Sequence, residues 1–114
     1  MNAPVVQQLS PDVSVAPQLD PAAMAWAARA GFKSVINNRP DFEAGPDQPT
    51  HAAMQAAALT AGLRYAHLPV APTVQTPAEV AAFAALLSEL PKPILAYCRS
   101  GARSGKLYRA AVGS

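Results

Sequence analysis

Residues 93–105 read Pro93-Ile94-Leu95-Ala96-Tyr97-Cys98-Arg99-Ser100-Gly101-Ala102-Arg103-Ser104-Gly105, and this stretch decides the fold. Its first five residues form a short apolar run opened by proline. Such a run suits a strand buried on both faces in the middle of a parallel sheet. Small residues and a glycine follow, as in a tight loop, and then a segment from Ser104 to about Ala111 that suits a helix. Strand, loop and helix in that order aim backbone amides and a helix N-terminus at one point, which makes an anion site.

Upstream, Thr76-Pro77-Ala78-Glu79 is a capping box with proline in the first helical position. The helix it opens carries Val80, Phe83, Leu87 and Leu90 along one face, the spacing of a core stripe. Leu63 to Leu68 predicts a strand closed by Pro69, and Thr50 caps a helix that ends before Gly62. Phe32 to Asn37 predicts another strand, centred on Val35-Ile36. Asp20-Pro21 starts a helix that runs to about Ala30, where Gly31 stops it. Further back, Val5 to Leu19 holds short β-type runs broken by Pro11 and Pro17, expected as one or two edge strands.

Strand and helix therefore alternate three times. That pattern predicts an α/β fold with right-handed crossovers and a mostly parallel central sheet flanked by helices. Ligands of such sheets collect beyond the carboxyl ends of the strands. Asn37-Asn38-Arg39, His67 and Cys98 all follow strands and should share that edge. Between Asn38 and Pro49 lies a long loop with Asp41, Glu43 and Asp47, of the length that tends to be functional.

The chain has 114 residues, enough for a single domain over 1–114. Its net charge is only +2, and its basic residues cluster only around the cysteine, so no nucleic-acid partner is expected. No apolar run approaches the roughly 18 residues of a membrane helix, and no secretory signal stands at the N-terminus. The chain has one cysteine and so no internal disulfide, which points to the reducing cytoplasm. Two histidines, His51 and His67, lie far from that cysteine in sequence, so no metal site and no cofactor are expected.

The loop itself carries chemistry. Inward-turned amides and the helix dipole favour thiolate over thiol, making Cys98 a nucleophile at neutral pH. Arg103 is suited to grip an oxyanion through two parallel hydrogen bonds. Gly101 allows a backbone angle closed to other residues, and Ser100 and Ser104 are small donors for the sulfur or the anion. Arg99 is expected to face solvent. A lone cysteine is commonly a small buried hydrophobe, but two flanking arginines predict an electropositive, partly exposed thiol instead. Arg39 is expected either to bind substrate or to pair with Asp41, and His67 either to touch the site or to make a structural hydrogen bond. Asp41, Glu43 and Asp47 are the candidates for a general acid. Met24 and Trp26 read as core or partner-facing residues, and Tyr97 as a packing residue with its hydroxyl near polar groups.

Cys98 through Gly105 resembles the signature loop of the cysteine-dependent protein phosphatases, with one residue fewer between Gly101 and Arg103. It also resembles the active loop of rhodanese-type sulfurtransferases, which likewise place four residues between cysteine and arginine. Three further segments carry a closer resemblance: Leu9 to Leu19, Gly31 to Asp41, and His67-Leu68-Pro69-Val70. Together with the Cys98 loop they are similar to the phosphatase-like domain of the bacterial beta-lactamase-hydrolase-like proteins, over nearly the whole chain. The resemblance implies a protein tyrosine phosphatase-like fold. Tyr97 stands where tyrosine phosphatases carry histidine, and Pro69 to Thr76 contains no aspartate where a related phosphatase places its acid.

These features lead to the expectation of a phosphatase-like hydrolase that acts on phosphate esters through a phosphocysteine at Cys98. Arg103 and Ser104 would assist, and Arg99, Ser100, Gly101, Ala102, Arg39 and His67 would bind a small anionic substrate. Sulfur transfer from a sulfane donor through a Cys98 persulfide is the runner-up, and a non-catalytic anion- or partner-binding module is the third alternative.

Overall fold

The computed structural model describes residues 4–73 and 75–113. Ser10 turns the chain between the first two strands, its Oγ accepting from the amides of Asp12 (3.2 Å) and Val13 (3.1 Å). The strands on either side, β1 (Gln7–Ser10) and β2 (Val13–Ala16), pair antiparallel. After them, helices and parallel strands alternate: α1 (Ala22–Arg29), β3 (Ser34–Asn37), α2 (His51–Thr60), β4 (Arg64–His67), α3 (Pro77–Glu89), β5 (Ile94–Tyr97) and α4 (Ala102–Gly113).

The sheet order is β1-β2-β5-β3-β4, so the strand that ends in the cysteine loop is the central one. β5 runs parallel to both neighbours, with Ile94 beside Val13 on one side and Ser34 on the other. Only β1 runs against the others. The expected mostly parallel sheet flanked by helices is therefore present.

Of the two strands before α1, the expectation of edge positions holds for β1 alone. β2 lies inside the sheet, because Pro11 falls in the turn and Pro17 falls just past the strand, so neither interrupts a hydrogen-bond ladder. Successive side chains of the central strands face opposite cores. Val35, Leu95 and Tyr97 pack with Met24 and Met54 of α1 and α2, while Ile36, Ile94 and Ala96 pack with Phe83 and Leu107 of α3 and α4. Met24 is wholly buried in the first core, and Trp26 packs against it.

The helix starts follow the sequence signals. Thr76 and Glu79 form the reciprocal capping box, Thr50 Oγ1 accepts from Ala53 N (3.1 Å), and Asp20 Oδ1 accepts from Ala23 N (2.9 Å). α4 begins two residues before the expected Ser104, helped by the Ala102 amide donating to Ser100 Oγ at 3.3 Å. Arg103 and Ser104 consequently sit in its first turn. Among the described residues no helix is long and apolar enough to cross a membrane.

Candidate active site

Three carboxyl strand ends meet around Cys98. The Cys98 amide donates to Ala16 O (3.3 Å), and the Arg99 carbonyl accepts from Gln18 N (3.1 Å), so the continuation of β2 holds the loop along one side. On the other side, Asn38 N donates to Tyr97 O (2.9 Å) and Asn38 O accepts from Val70 N (3.1 Å). Gly101 turns the chain at φ +93°, and a Cβ there would stand 3.4 Å from the Ala16 carbonyl carbon. The angle calls for glycine, while the approach itself is close to ordinary van der Waals contact.

The turn brings the Gly101 amide to 3.1 Å from Cys98 Sγ, donating to it. Burial pushes the thiol up, but the Ser104 amide and hydroxyl and the Ser100 and Gly101 amides outweigh it and hold Cys98 below its ordinary value. The Gly101 amide alone makes an aligned bond.

Cys98 is more enclosed than expected: it is 1% exposed rather than partly open. Its access to solvent is a cavity of about 230 Å³ lined by Cys98, Arg99, Ser100, Ala102, Arg103 and Lys106 from the loop and α4, with Pro72, Thr73 and Gln75 opposite. Arg99 is exposed at the rim, as expected. A larger hollow of about 380 Å³ lies behind the loop, between the β1–β2 hairpin and α4, and Cys98 does not line it. The chemistry belongs to the smaller cavity, since that one reaches the sulfur.

Three of the five Arg103 N–H groups are already bonded within the chain. Its Nη1 donates to Glu43 Oε2 (3.2 Å) and to Val70 O (3.0 Å), and its Nη2 donates to Glu43 Oε1 (3.1 Å). Nε–H and the second Nη2–H are left, and Nε is buried with no hydrogen-bond partner among the described residues. The same Glu43 carboxylate accepts from Arg39 Nε at 2.9 Å, and Arg39 Nη1 donates to Gln18 Oε1 at 2.8 Å. Arg39 thus pairs with Glu43 and not with Asp41, because Asp41 Oδ1 is occupied by the His51 amide (2.7 Å) at the start of α2. Burial raises Glu43, but hydrogen bonds and charge from Arg39 and Arg103 outweigh it and hold the carboxyl below its usual range. An adjoining cavity of about 260 Å³ is lined by Arg39, Glu43, Ala44, Pro72, Arg99 and Arg103.

His67 lines neither of these two cavities. Its Nε2 hydrogen-bonds the Arg39 carbonyl (2.9 Å), and its ring stacks on His51 with centroids 4.3 Å apart, which is the structural alternative. Tyr97 is fully buried, and its hydroxyl has no hydrogen-bond partner among the described residues. Burial, with a contribution from Tyr65, pushes its phenol far up, so it stays neutral. Asp47 is exposed on the loop. No cluster of three or more histidine, cysteine or acidic residues suited to a metal ion occurs among the described residues.

Three contributors escaped the sequence reading: Gln18, the Val70 carbonyl and Gln75, whose Nε2 donates to Arg103 O at 3.0 Å. Asn38 was placed at the ligand edge of the sheet, as a polar residue directly after a buried strand, but without a partner.

A family model described as "Beta-lactamase hydrolase-like protein, phosphatase-like domain" matches residues 6–113. A beta-lactamase hydrolase-like protein of Xylella fastidiosa is 44% identical over 81 residues, which are 71% of this chain and 19% of that protein. The chain thus spans about a fifth of the length of the curated relatives it matches. A crystal structure of a candidate phosphatase from Neisseria meningitidis is 33% identical with a TM-score of 0.77, covering 89% of this chain and 71% of that one. TpbA of P. aeruginosa, solved in complex with pTyr, shares the fold at 22% identity and TM-score 0.67, covering 95% of this chain and 64% of that one.

Proposed function

This chain belongs to the phosphatase-like domain family of the beta-lactamase hydrolase-like proteins, and on that premise we propose that it hydrolyses phosphate esters through a phosphocysteine at Cys98. The observation that carries the reading is the Arg103 Nε–H, buried without a partner among the described residues while Glu43 and Val70 hold the two terminal nitrogens. A buried donor left unpaired is costly, and a bound oxyanion would satisfy it.

In the first step the Cys98 thiolate attacks phosphorus; the S–P bond forms and the ester P–O bond breaks. The Ser100 amide and Arg103 Nε would hold the equatorial oxygens, where charge is retained through the transfer, while the Gly101 amide stays on the sulfur and Ala102 lines the cavity. Arg99, with Lys106 at the same rim, would attract the anion. Arg39 would act mainly through the Glu43 carboxylate it shares with Arg103, and His67 by fixing the Arg39 backbone. In the second step water attacks phosphorus, the S–P bond breaks, and Ser104 stabilises the departing thiolate.

Among the described residues no carboxylate lines the cavity at the sulfur. Glu43 is held ionised, which makes it an anchor rather than an acid. The reading therefore favours substrates whose leaving group is stable as an anion, such as aryl phosphates or phosphoanhydrides. A reducing compartment fits a mechanism that needs the thiolate free.

Hydrolysis of p-nitrophenyl phosphate and turnover of thiosulfate, measured side by side, test the proposal. Phosphate release that falls at least about a thousandfold in Cys98→Ser is expected. Thiosulfate turnover alone would replace it with sulfur transfer, and identical behaviour of variant and parent would leave only anion binding.

A further inference from the structure

We propose that Asn38 is a positioning residue for the candidate reaction: its Oδ1 takes the single Ser104 hydroxyl proton at rest and so governs when that hydroxyl turns to the Cys98 sulfur. This rests on the reading of Cys98 as the nucleophile. Ser104 Oγ donates to Asn38 Oδ1 at 2.8 Å, and Asn38 and Ser104 are both completely buried. The orientation of the amide is fixed by chemistry, since Asn38 Nδ2 donates to Leu68 O at 3.0 Å and a carbonyl can only accept. Oδ1 must therefore face Ser104.

A serine hydroxyl has one proton and two lone pairs. While Cys98 is a thiol, the arrangement is satisfied, since the serine O–H goes to Asn38. Once Cys98 is a thiolate, the sulfur can only accept, and the Ser104 hydroxyl is among the groups that hold it below its ordinary value. The hydroxyl must then rotate away from Asn38. Oδ1 loses its donor in a place closed to water, a cost that opposes ionisation. The same rotation would be needed when phosphocysteine releases the thiolate. Asn38 thus holds the hydroxyl in reserve for a step that comes later.

Other charges face the sulfur as well. Arg99, Arg103 and Lys106 line its cavity from the loop and α4, with Glu43 and Arg39 beyond Arg103 on the β3–α2 loop. The segment opposite contributes neutral Pro72, Thr73 and Gln75, and β5 contributes the neutral Tyr97 phenol. None of these groups is altered by a change at Asn38.

The test is the pH dependence of Cys98 alkylation by iodoacetamide in the parent, Asn38→Leu, Ser104→Ala and the double variant. Loss of the competing acceptor should lower the midpoint in Asn38→Leu by about 0.5–1 pH unit, the scale of one ordinary hydrogen bond. Ser104→Ala should raise it, and the double variant should match Ser104→Ala alone. A midpoint unmoved by Asn38→Leu, or moved equally with and without Ser104, overturns the proposal. If Asn38→Leu does not fold, the parent alone decides: its Asn38 side-chain amide resonances should titrate with the alkylation midpoint, and flat resonances overturn the proposal. No turnover is needed for either measurement. A parent midpoint at the free-cysteine value would sink the nucleophile reading itself, whereas a low parent midpoint without coupling sinks only the role of Asn38.

Discussion

The carboxylate of Glu43 covers both terminal nitrogens of the Arg103 guanidinium, at 3.1 and 3.2 Å, from a loop 60 residues away in sequence. Arg103 is thereby fixed before any substrate arrives, with its Nε–H and one Nη2–H left for it. Glu43 also bridges to Arg39, so two buried cations share one anion. Breaking such a group from one side leaves charge uncompensated in a region of low polarity.

Replacing Arg103 by lysine keeps the charge and removes the fork. A single ammonium cannot hold Glu43 and Val70 and also reach the oxyanion. We expect kcat/KM for an aryl phosphate to fall by about 10²–10³ while binding of inorganic phosphate weakens, as for loss of an oxyanion donor. Steady-state kinetics with phosphate as inhibitor measure both.

Glu43→Gln should act in two directions. Arg103 gains freedom to meet an anion with its terminal nitrogens, so phosphate inhibits at lower concentration, but the two arginines lose their counter-charge, so stability at neutral pH falls. The pH dependence has a definite sign. The folded carboxyl lies below its unfolded value of 4.5, so its contribution is complete above that value and disappears as pH falls through the folded one. Urea midpoints of the parent should therefore drop on acidification below that range by more than those of the variant.

Gly101→Ala places a Cβ against the Ala16 backbone at a φ of +93°. We expect a loss of roughly 1–3 kcal/mol in urea unfolding, the cost of a strained non-glycine residue. Retreat of the loop from Ala16 would also draw the Gly101 amide off the sulfur. Alkylation of Cys98 at pH 7 should then slow in this variant relative to the parent.

Inorganic phosphate should protect Cys98 from alkylation in the parent, because the anion would cover the cavity that reaches the sulfur. Protection should weaken in Arg103→Lys. Equal protection in parent and variant would place the anion elsewhere.

The strand–loop–helix unit around Cys98 was legible because each part has a local signature: an apolar run, a glycine at a tight turn, a cap. The helix starts at Thr50 and Thr76 were legible for the same reason, since a capping hydroxyl acts within three residues. The interior place of β2 was not, because Pro11 and Pro17 mark where pairing stops without saying what lies between. Nor was the partner of Arg39. Asp41 is nearer in sequence, but the loop turns it to the start of α2 and brings Glu43 inward, and charge spacing along a loop does not encode which way the loop folds. The hydroxyl contact between Ser104 and Asn38 spans 66 residues, and nothing local announces it.

β5 lies at the centre of the sheet with a packed core on each face. Its amides should exchange with deuterium only when the whole molecule opens, whereas the loop bearing Glu43 can open alone. The sulfur is thus mounted on the last part to let go and its ionic clamp on one of the first, which allows the clamp to turn over many times without the nucleophile losing its place.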